Sequence, residues 1–542
     1  MQNAASNIQL PPNEPVQNYA PGSKEKKLLM KELERMGNER IEIPLIINGK
    51  EIKTGNMGKC VEPHNHKNVI GEYHKAGKEE VQLAIDSALE AKEKWENLHY
   101  QKRASIFLKA AELLRTKYRY IINAAAMLDL SKNAFQAEID AAAELIDFFT
   151  FNAHFMKQLY KEQPLHSPMG IFNYVEHRAL EGFVFAITPF NFASITGNLP
   201  AAPASMGNVV VWKPASSSVY SAYFIMKLFQ EAGVPDGVIN FVPGSGSKVG
   251  PIVMKSEHLA GIHFTGSTAV FQSMWKLVGN NIANYRSYPR IVGETGGKDF
   301  IVAHKSADVK ALSTAIVRGA FEYQGQKCSA ASRGYIPKSL WAEVEKNVAA
   351  DLKTIKMGPV QDFSNFVNAV IDQASFNNAK SYIEHAKSSA DAEIIIGGHY
   401  DDSEGYFIEP TIILAKTPKY KSMVEEIFAP IFTIYVYEDE KFEETLELCD
   451  NTSMYALTGA VFSQDRYALD LAFDKLRHAA GNFYLNDKPT GAVVGQQPFG
   501  GGRGSGTNDK AGSLQNIIRW VSPRTVKENY NPPYDYRYPF LG

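Results

Sequence analysis

G-F-V-F-A-I-T-P (Gly182 to Pro189) is a short β-branched and aromatic run with glycine before it and proline after it. N-V-V-V-W-K-P (Asn208 to Pro214), G-V-I-N-F-V-P-G (Gly237 to Gly244) and G-I-H-F-T-G (Gly261 to Gly266) repeat that pattern. Helical stretches, Ser218 to Ala232 and Ser267 to Val278, separate or follow them. Strands alternating with helices at this spacing predict a parallel, doubly wound sheet.

Upstream, 79–95 and 101–118 carry apolar residues at helical spacing with charged faces between them. Residues 134–160, through E-I-D-A-A-A-E-L-I-D-F-F, read as another long helix. Pro164 to Gly182 has turn residues and alternating polarity, which predicts a hairpin. Downstream, a second α/β series runs over about 299–495 and includes I-F-T-I-Y-V-Y (Ile431 to Tyr437) and G-A-V-F (Gly459 to Phe462). Gln9 to Ser23, rich in proline and asparagine, reads as an extended arm lying on something else or as disordered chain. The tail after Arg519, rich in proline and tyrosine, reads as another docked arm.

The chain has 542 residues, 44% of them hydrophobic and 21% charged, ample for two or three domains. A net charge of −2 gives no reason to expect nucleic acid or an anionic membrane as partner. The three cysteines, Cys60, Cys328 and Cys449, are widely spaced with no CxxC pair. That argues for a reducing compartment and against a disulfide framework or a zinc site. No apolar run approaches the roughly 20 residues of a membrane span. Met1 to Leu10 lacks the basic and apolar regions of a secretory signal, and no arginine precedes Arg35 as a transit peptide would require. A bacterial-type cytoplasm is the first expectation, with a processed mitochondrial matrix enzyme as the alternative.

Cys328 lies in F-E-Y-Q-G-Q-K-C-S-A (Phe321 to Ala330), and Glu294 in G-E-T-G-G-K (Gly293 to Lys298). A thiol and a carboxylate in glycine-containing turns form the pair that covalent aldehyde oxidation needs. The thiolate adds to the carbonyl, a hydride leaves, and carboxylate-activated water cleaves the thioester. Taken singly, a free cysteine reads first as a small buried hydrophobe, and it is the surrounding constellation that reverses this.

I-T-P-F-N-F (Ile187 to Phe192) directly follows a strand, where parallel-sheet proteins bind ligands. Asn191 there either shapes a turn or joins the Cys328 N–H in an oxyanion hole. W-K-P-A-S (Trp212 to Ser216) brings Lys213 and Ser216 to a strand end, suited to ribose hydroxyls or to solvent. F-T-G-S-T (Phe264 to Thr268) closes a strand and opens a helix. Gly266 allows close backbone approach there, and Ser267 with free N–H groups suits a pyrophosphate. G-S-G-S-K-V-G (Gly244 to Gly250) matches a dinucleotide fingerprint imperfectly, and it is no P-loop, since Val249 follows Lys248. E-E-I-F-A-P (Glu425 to Pro430) offers a carboxylate for ribose and Phe428 for a flat ring, or is a helix end with a core phenylalanine.

In this order and spacing the segments resemble the aldehyde dehydrogenase superfamily from about residue 40 onward. The resemblance implies an α/β, aldehyde dehydrogenase-like fold: a Rossmann-type NAD domain, an α/β catalytic domain and a small β oligomerisation flap. The implied divisions are an N-terminal arm at 1–40, the NAD-binding domain at 41–162 and 183–293, and the catalytic domain at 294–495. An oligomerisation hairpin and C-terminal arm fall at 163–182 and 515–542, and a substrate-anchoring loop at 496–514. Cys328 is implied as nucleophile, Glu294 as general base and Asn191 as oxyanion donor. Ile187, Thr188, Pro189, Phe190, Lys213, Ser216, Phe264, Gly266, Ser267, Glu426 and Phe428 fall on the cofactor. NAD is the expected cofactor. Many members have a glutamate where Ser216 stands, and a serine would not repel a 2′-phosphate, so NADP also fits.

Four stretches narrow the resemblance: Ala134 to Phe149, Ala320 to Ala330, Ala480 to Lys488 and Val494 to Lys510. They resemble the branch that oxidises L-glutamate 5-semialdehyde, the open form of 1-pyrroline-5-carboxylate, to L-glutamate in proline breakdown. That substrate carries an α-carboxylate and an ammonium away from its aldehyde. G-S-G-T-N (Gly504 to Asn508), with Ser505 and Gly506, is expected to wrap the carboxylate as an anion nest or else to be a flexible surface loop. Ser329 can reach the same group. The family pattern places Glu138 near the ammonium, and Phe192 forms an aromatic wall. Ala193 replaces a frequent proline, and E-T-G-G-K replaces the more usual E-L-G-G-K.

The rival readings are another semialdehyde dehydrogenase, a cysteine hydrolase with a histidine base, and a non-enzymatic scaffold. No histidine has a local signature for the second, and Cys328, Glu294 and Asn191 are all intact against the third. The expected partners are the small-molecule substrate and a second copy of the chain, at least as a homodimer.

Overall fold

The computed structural model describes residues 7–542. The start of the Met1 to Leu10 stretch therefore lies outside the described residues. The chain forms two seven-stranded sheets and several smaller ones.

The first sheet runs Arg290–Glu294, Leu259–Thr265, Phe183–Ile187, Val209–Lys213, Ile239–Phe241, then Leu45–Ile47 and Lys50–Ile52. The first five strands are parallel, and the last two add an antiparallel edge. Their chain order across the sheet is the doubly wound order, with its reversal between Phe183–Ile187 and Leu259–Thr265. Ligands of such sheets bind at that reversal, outside the carboxyl ends of the strands. Phe183, Phe185 and Trp212 are fully buried between the helical layers. Each such side chain contributes about 1.5–3 kcal/mol by leaving water.

The second sheet is parallel over Thr411–Ala415, Ile431–Tyr437, Ala331–Pro337, Asp299–Ala303, Thr458–Phe462 and Asn482–Leu485. Ala392–Ile396 adds an antiparallel edge. The E-T-G-G-K segment spans the gap between the sheets, because Glu294 ends the last strand of one and Asp299 begins the first strand of the other. Its glycines are required by space. A Cβ at Gly296 would overlap the Glu426 carboxylate, and one at Gly297 would overlap the Cys328 carbonyl.

Three expectations need correction. The segment before residue 40 is not all arm, since Lys24–Gly37 is a helix capped by Ser23 and buried through Leu29, Leu33 and Met36. The long helix over 134–160 is interrupted, because Glu138–Glu144 winds as a π-helix before Leu145–Lys161 resumes the α-form. The stretch 164–182 makes no hairpin with itself. Ile171–Arg178 pairs antiparallel with Ser522–Asn529, so the alternation belongs to a ribbon whose other strand comes from the C-terminus. Among the described residues, no helix is long and apolar enough to cross a membrane.

Candidate active site

Strand register collects the first group of residues. Ile187 lies opposite Lys213 on one side and Phe264 on the other, and Thr265 lies opposite Glu294. One carboxyl-terminal edge therefore carries the I-T-P-F-N-F loop, the W-K-P-A-S loop, the F-T-G-S-T turn and the candidate base.

The cysteine loop comes from the second sheet. Tyr323, Gln324 and Gly325 all adopt positive φ (50°, 55° and 66°), a conformation that costs non-glycine residues energy and needs outside support. Side chains supply it. Gln324 Nε2 donates to the Ser131 and Ala369 carbonyls at 2.9 and 2.7 Å, and Gln326 Oε1 accepts from Ile371 N–H at 2.9 Å. Lys327 Nζ meets the Glu322 carboxylate at 3.0 Å, both side chains being buried. Asn191 reaches across from the first sheet, its Nδ2 donating to the Gln326 carbonyl at 3.0 Å.

Cys328 is 9% exposed. Burial pushes its thiol well above the usual cysteine range, and the negative charges of Asp299, Glu294 and Glu426 push it further. Glu294 is likewise raised, by burial, while Lys510 and the Gly501 backbone draw it back. Among the described residues, Glu294 Oε2 and Lys298 Nζ reach no hydrogen-bond partner. Glu426 Oε1 accepts from Gly297 N–H at 2.9 Å, which lays its carboxylate over the crossover. Lys298 is lowered to about 7, chiefly by burial, and Asp299 is raised to about 8 by the same cause. Burial thus favours the uncharged forms of the carboxyls, the thiol and the amine gathered here, and brings Lys298 and Asp299 into the range where protons exchange at physiological pH.

The groove beside it fits a dinucleotide. Lys213 is buried and lowered to about 8, and its Nζ donates to the Pro214 carbonyl at 2.8 Å, leaving ammonium capacity for hydroxyls. Gly246, at the start of helix Gly246–Lys255, faces the Lys213 stem without a Cβ in the way. Ser216 and Ser267 are exposed, and Ser267 caps helix Thr268–Asn280. Gly266 precedes that helix, whose free N–H groups suit a pyrophosphate. Thr188 is occupied, accepting from Trp212 Nε1 at 3.2 Å, and the Pro189 carbonyl accepts from Thr196. Phe190 meets Phe428 edge-on with ring centroids 5.8 Å apart, joining the two loops that flank the groove. Phe264 departs from its expected place. Its ring is buried and stacked on Phe271 at 5.4 Å, with its edge packed under Gly266. Among the described residues, no cluster of three His, Cys, Asp or Glu could hold a metal ion.

On the substrate side Phe192 is half-buried, with Lys132 Nζ 4.3 Å from its ring centre and 4.4 Å from that of Tyr323. Asp140 pairs with Lys132 at 2.6 Å and accepts from the Ala193 and Ser194 N–H groups, fixing the loop that carries Asn191 and Phe192.

Glu138 lies away from this wall. It is fully buried, paired with Arg119 and hydrogen-bonded by Tyr19 Oη, Asn123 Nδ2 and Gln17 N–H, so its carboxylate is already saturated. Glu144, six residues on from Glu138, is a second carboxylate beside the Phe192 loop, after the Asp140 that Lys132 pairs. It accepts from Ser194 Oγ at 2.6 Å, and burial raises it to about 8.

Ser505 is also misplaced by the sequence reading. It is fully buried and its Oγ accepts from Ala456 N–H at 3.0 Å. Its loop braces the base strand instead of facing a substrate. Thr295 N–H donates to the Ser505 carbonyl at 2.9 Å, Thr295 Oγ1 to the Gly504 carbonyl at 2.6 Å, and Gly506 bridges to Glu294. The threonine of E-T-G-G-K thereby has a role that leucine could not fill.

Ser329 remains at the site. Its hydroxyl meets Thr490 Oγ1 at 2.8 Å, drawing the K-P-T-G-A turn (Lys488 to Ala492) toward the residue that follows Cys328. Gly491 there is exposed, with φ +94°, and among the described residues the Gly491 and Ala492 N–H groups have no protein acceptor. The P-T-G-A string was the available signal for this turn.

The Aldehyde dehydrogenase family profile matches residues 52–526. A mitochondrial delta-1-pyrroline-5-carboxylate dehydrogenase of Dictyostelium discoideum is 54% identical over 540 residues, covering 99% of this chain and 97% of its own length. One of Bos taurus, also named mitochondrial, is 48% identical over 98% of this chain and 94% of its own. A crystal structure of the delta-pyrroline-5-carboxylate dehydrogenase from Mycobacterium tuberculosis bound with NAD superposes with a TM-score of 0.96 at 48% identity, covering both chains completely. Matched by this profile over most of its length and by these relatives from end to end, the chain belongs to the aldehyde dehydrogenase family.

Proposed function

We propose that the chain oxidises L-glutamate 5-semialdehyde to L-glutamate with NAD, in proline breakdown. One observation carries the substrate assignment: the Ser329–Thr490 contact sets two uncommitted N–H groups, Gly491 and Ala492, next to Cys328. Such a pair suits a carboxylate. Glu144, at the other side of the Phe192 loop, suits the ammonium and takes the role first given to Glu138.

Cys328 Sγ gives its proton to solvent water and bonds to the aldehyde carbon, whose π-electron pair moves onto the oxygen. The oxygen, now anionic, is met by the Asn191 amide and the Cys328 N–H. Lys213, Ser216, Gly266, Ser267, Glu426 and Phe428 hold NAD, which when bound supplies the hydride acceptor. Glu294 then takes a proton from water as the oxygen adds to the thioester carbon, and the carbon–sulfur bond breaks. Burial of Glu294 favours its neutral form in the resting site, and Lys510 favours the ionised form that accepts this proton.

Assembly into homodimers is part of this reading. The ribbon of Ile171–Arg178 and Ser522–Asn529 exposes Phe172 and Tyr174, and the tail beyond it exposes Tyr534, Tyr536 and Phe540. A two-stranded ribbon of this kind has little stability without further cover. A reducing compartment, a cytoplasm or a mitochondrial matrix, suits three buried unpaired cysteines.

The test is a comparison of kcat/KM for glutamate semialdehyde and for propanal, with NAD. A preference of about 10²-fold or more for the charged substrate is expected, and Cys328→Ala should abolish turnover while NAD still binds. Equal use of both aldehydes would defeat the substrate assignment.

A further inference from the structure

Residues 7–20 cross the helical layer as an extended strap with two kinds of contact. The first fastens it. The buried Glu14 carboxylate takes Arg115 Nε and Arg119 Nη1, each at 2.7 Å. Glu14 N–H donates to Asp147 Oδ1 at 2.8 Å, and Tyr19 Oη donates to Glu138 at 2.6 Å. The second reaches the far side of the site. Asn13 Nδ2 donates to Asp147 Oδ2 and to the Val494 carbonyl, both at 2.7 Å, and Asn13 Oδ1 accepts from Gln496 Nε2 at 2.9 Å.

Both hydrogens of the Asn13 amide are therefore committed, one to a helix and one to a loop. Asp147 belongs to the helix Leu145–Lys161. Val494 and Gln496 belong to the loop that continues directly from Gly491 and Ala492. That loop already rests on the same helix, since a Cβ at Gly495 (φ +81°) would overlap the Phe151 ring. Asn13 adds a hydrogen-bonded tie between the loop and that helix. It shares Asp147 with the Glu14 N–H, but the Glu14 carboxylate keeps Arg115 and Arg119 and Tyr19 keeps Glu138, so losing the Asn13 side chain frees the loop without detaching residues 14–20.

We propose that Asn13 is a positioning residue for the substrate. Through Val494 and Gln496 it fixes the Gly491–Ala492 turn against Ser329, and so sets affinity for the α-carboxylate end. This rests on the proposed reading of that turn as the carboxylate anchor. A turn displaced by a fraction of an ångström still admits substrate but meets its carboxylate poorly, which appears in KM before kcat.

The experiment uses the full chain with Asn13→Ala and, separately, Gln496→Ala, assayed with L-glutamate 5-semialdehyde and with propanal. KM for the semialdehyde should rise about tenfold with kcat within about twofold. Propanal kcat/KM and NAD affinity should stay as in the wild type. An unchanged semialdehyde KM, or equal losses on both aldehydes, overturns the proposal. Should Asn13→Ala not fold, Gln496→Ala reads the same tie from an exposed residue. Wild-type indifference between the two aldehydes would instead defeat the substrate assignment, and that ratio is measured first.

Discussion

Asn191 is bound to the nucleophile loop before any substrate arrives: its Nδ2 donates to the Gln326 carbonyl, two residues ahead of Cys328. The amide is thus fixed in place by that loop, and on the proposed mechanism it needs no reorganisation as charge develops on the substrate oxygen. Asn191→Ala should lower kcat by about 10²–10³-fold, the usual cost of one oxyanion donor. Steady-state rates with glutamate semialdehyde check this, and NAD affinity should not change.

The base carries a pH signature. Burial raises the Glu294 carboxyl, so thioester cleavage should increase with pH until that displaced value is passed. Lys510 favours the ionised form, and it is held by the Gly481 and Gly500 carbonyls at 2.7 and 2.9 Å. Lys510→Ala removes that charge, so the rising limb should move to higher pH. Hydrolysis of p-nitrophenyl acetate, which needs no cofactor, gives the profile. A limb that stays in place would mean another group titrates there.

Glu144 predicts proton release on binding. Raised to about 8, it is mostly neutral at pH 7, and an arriving ammonium favours its ionised form. L-norvaline carries the same amino-acid end as the substrate and no second carboxylate. Calorimetry in buffers of differing ionisation heat should show nearly one proton released at pH 7, and none well above pH 8, where Glu144 is already ionised. Glu144→Gln should remove the release at pH 7.

Glu138 predicts the opposite class of effect. Its removal leaves buried Arg119 with Glu14 as its remaining carboxylate and strips the acceptor from Tyr19 and Asn123. Glu138→Ala should cost about 3–5 kcal/mol of stability, as breaking buried pairs does. Thermal unfolding measures this, while KM for the semialdehyde in the surviving folded enzyme should hardly move.

The parallel core was legible in the sequence because its strands are buried on both faces and written as β-branched runs between glycines and prolines. Cys328, Glu294 and Asn191 announce themselves through the turns that carry them. The helix Lys24–Gly37 did not, since its apolar residues are sparse among lysines and glutamates and it follows a proline-rich stretch. Glu138 and Glu144 could not be told apart by helical period, because the π-helix between them changes the angular step and hence the face each one takes. Ser505 and the P-T-G-A turn are both short glycine-containing loops. Only the Ser329–Thr490 contact, made between distant parts of the chain, shows which of them stands by the nucleophile.

The ribbon has a consequence for biosynthesis. Arg178 leaves the ribosome 344 residues before its partner Ser522. At ordinary elongation rates that is a delay on the order of 20–70 s. Through that interval the nascent polypeptide carries an open strand edge with exposed aromatics, the kind of surface chaperones cover. A message truncated short of codon 522 would leave that edge open for good.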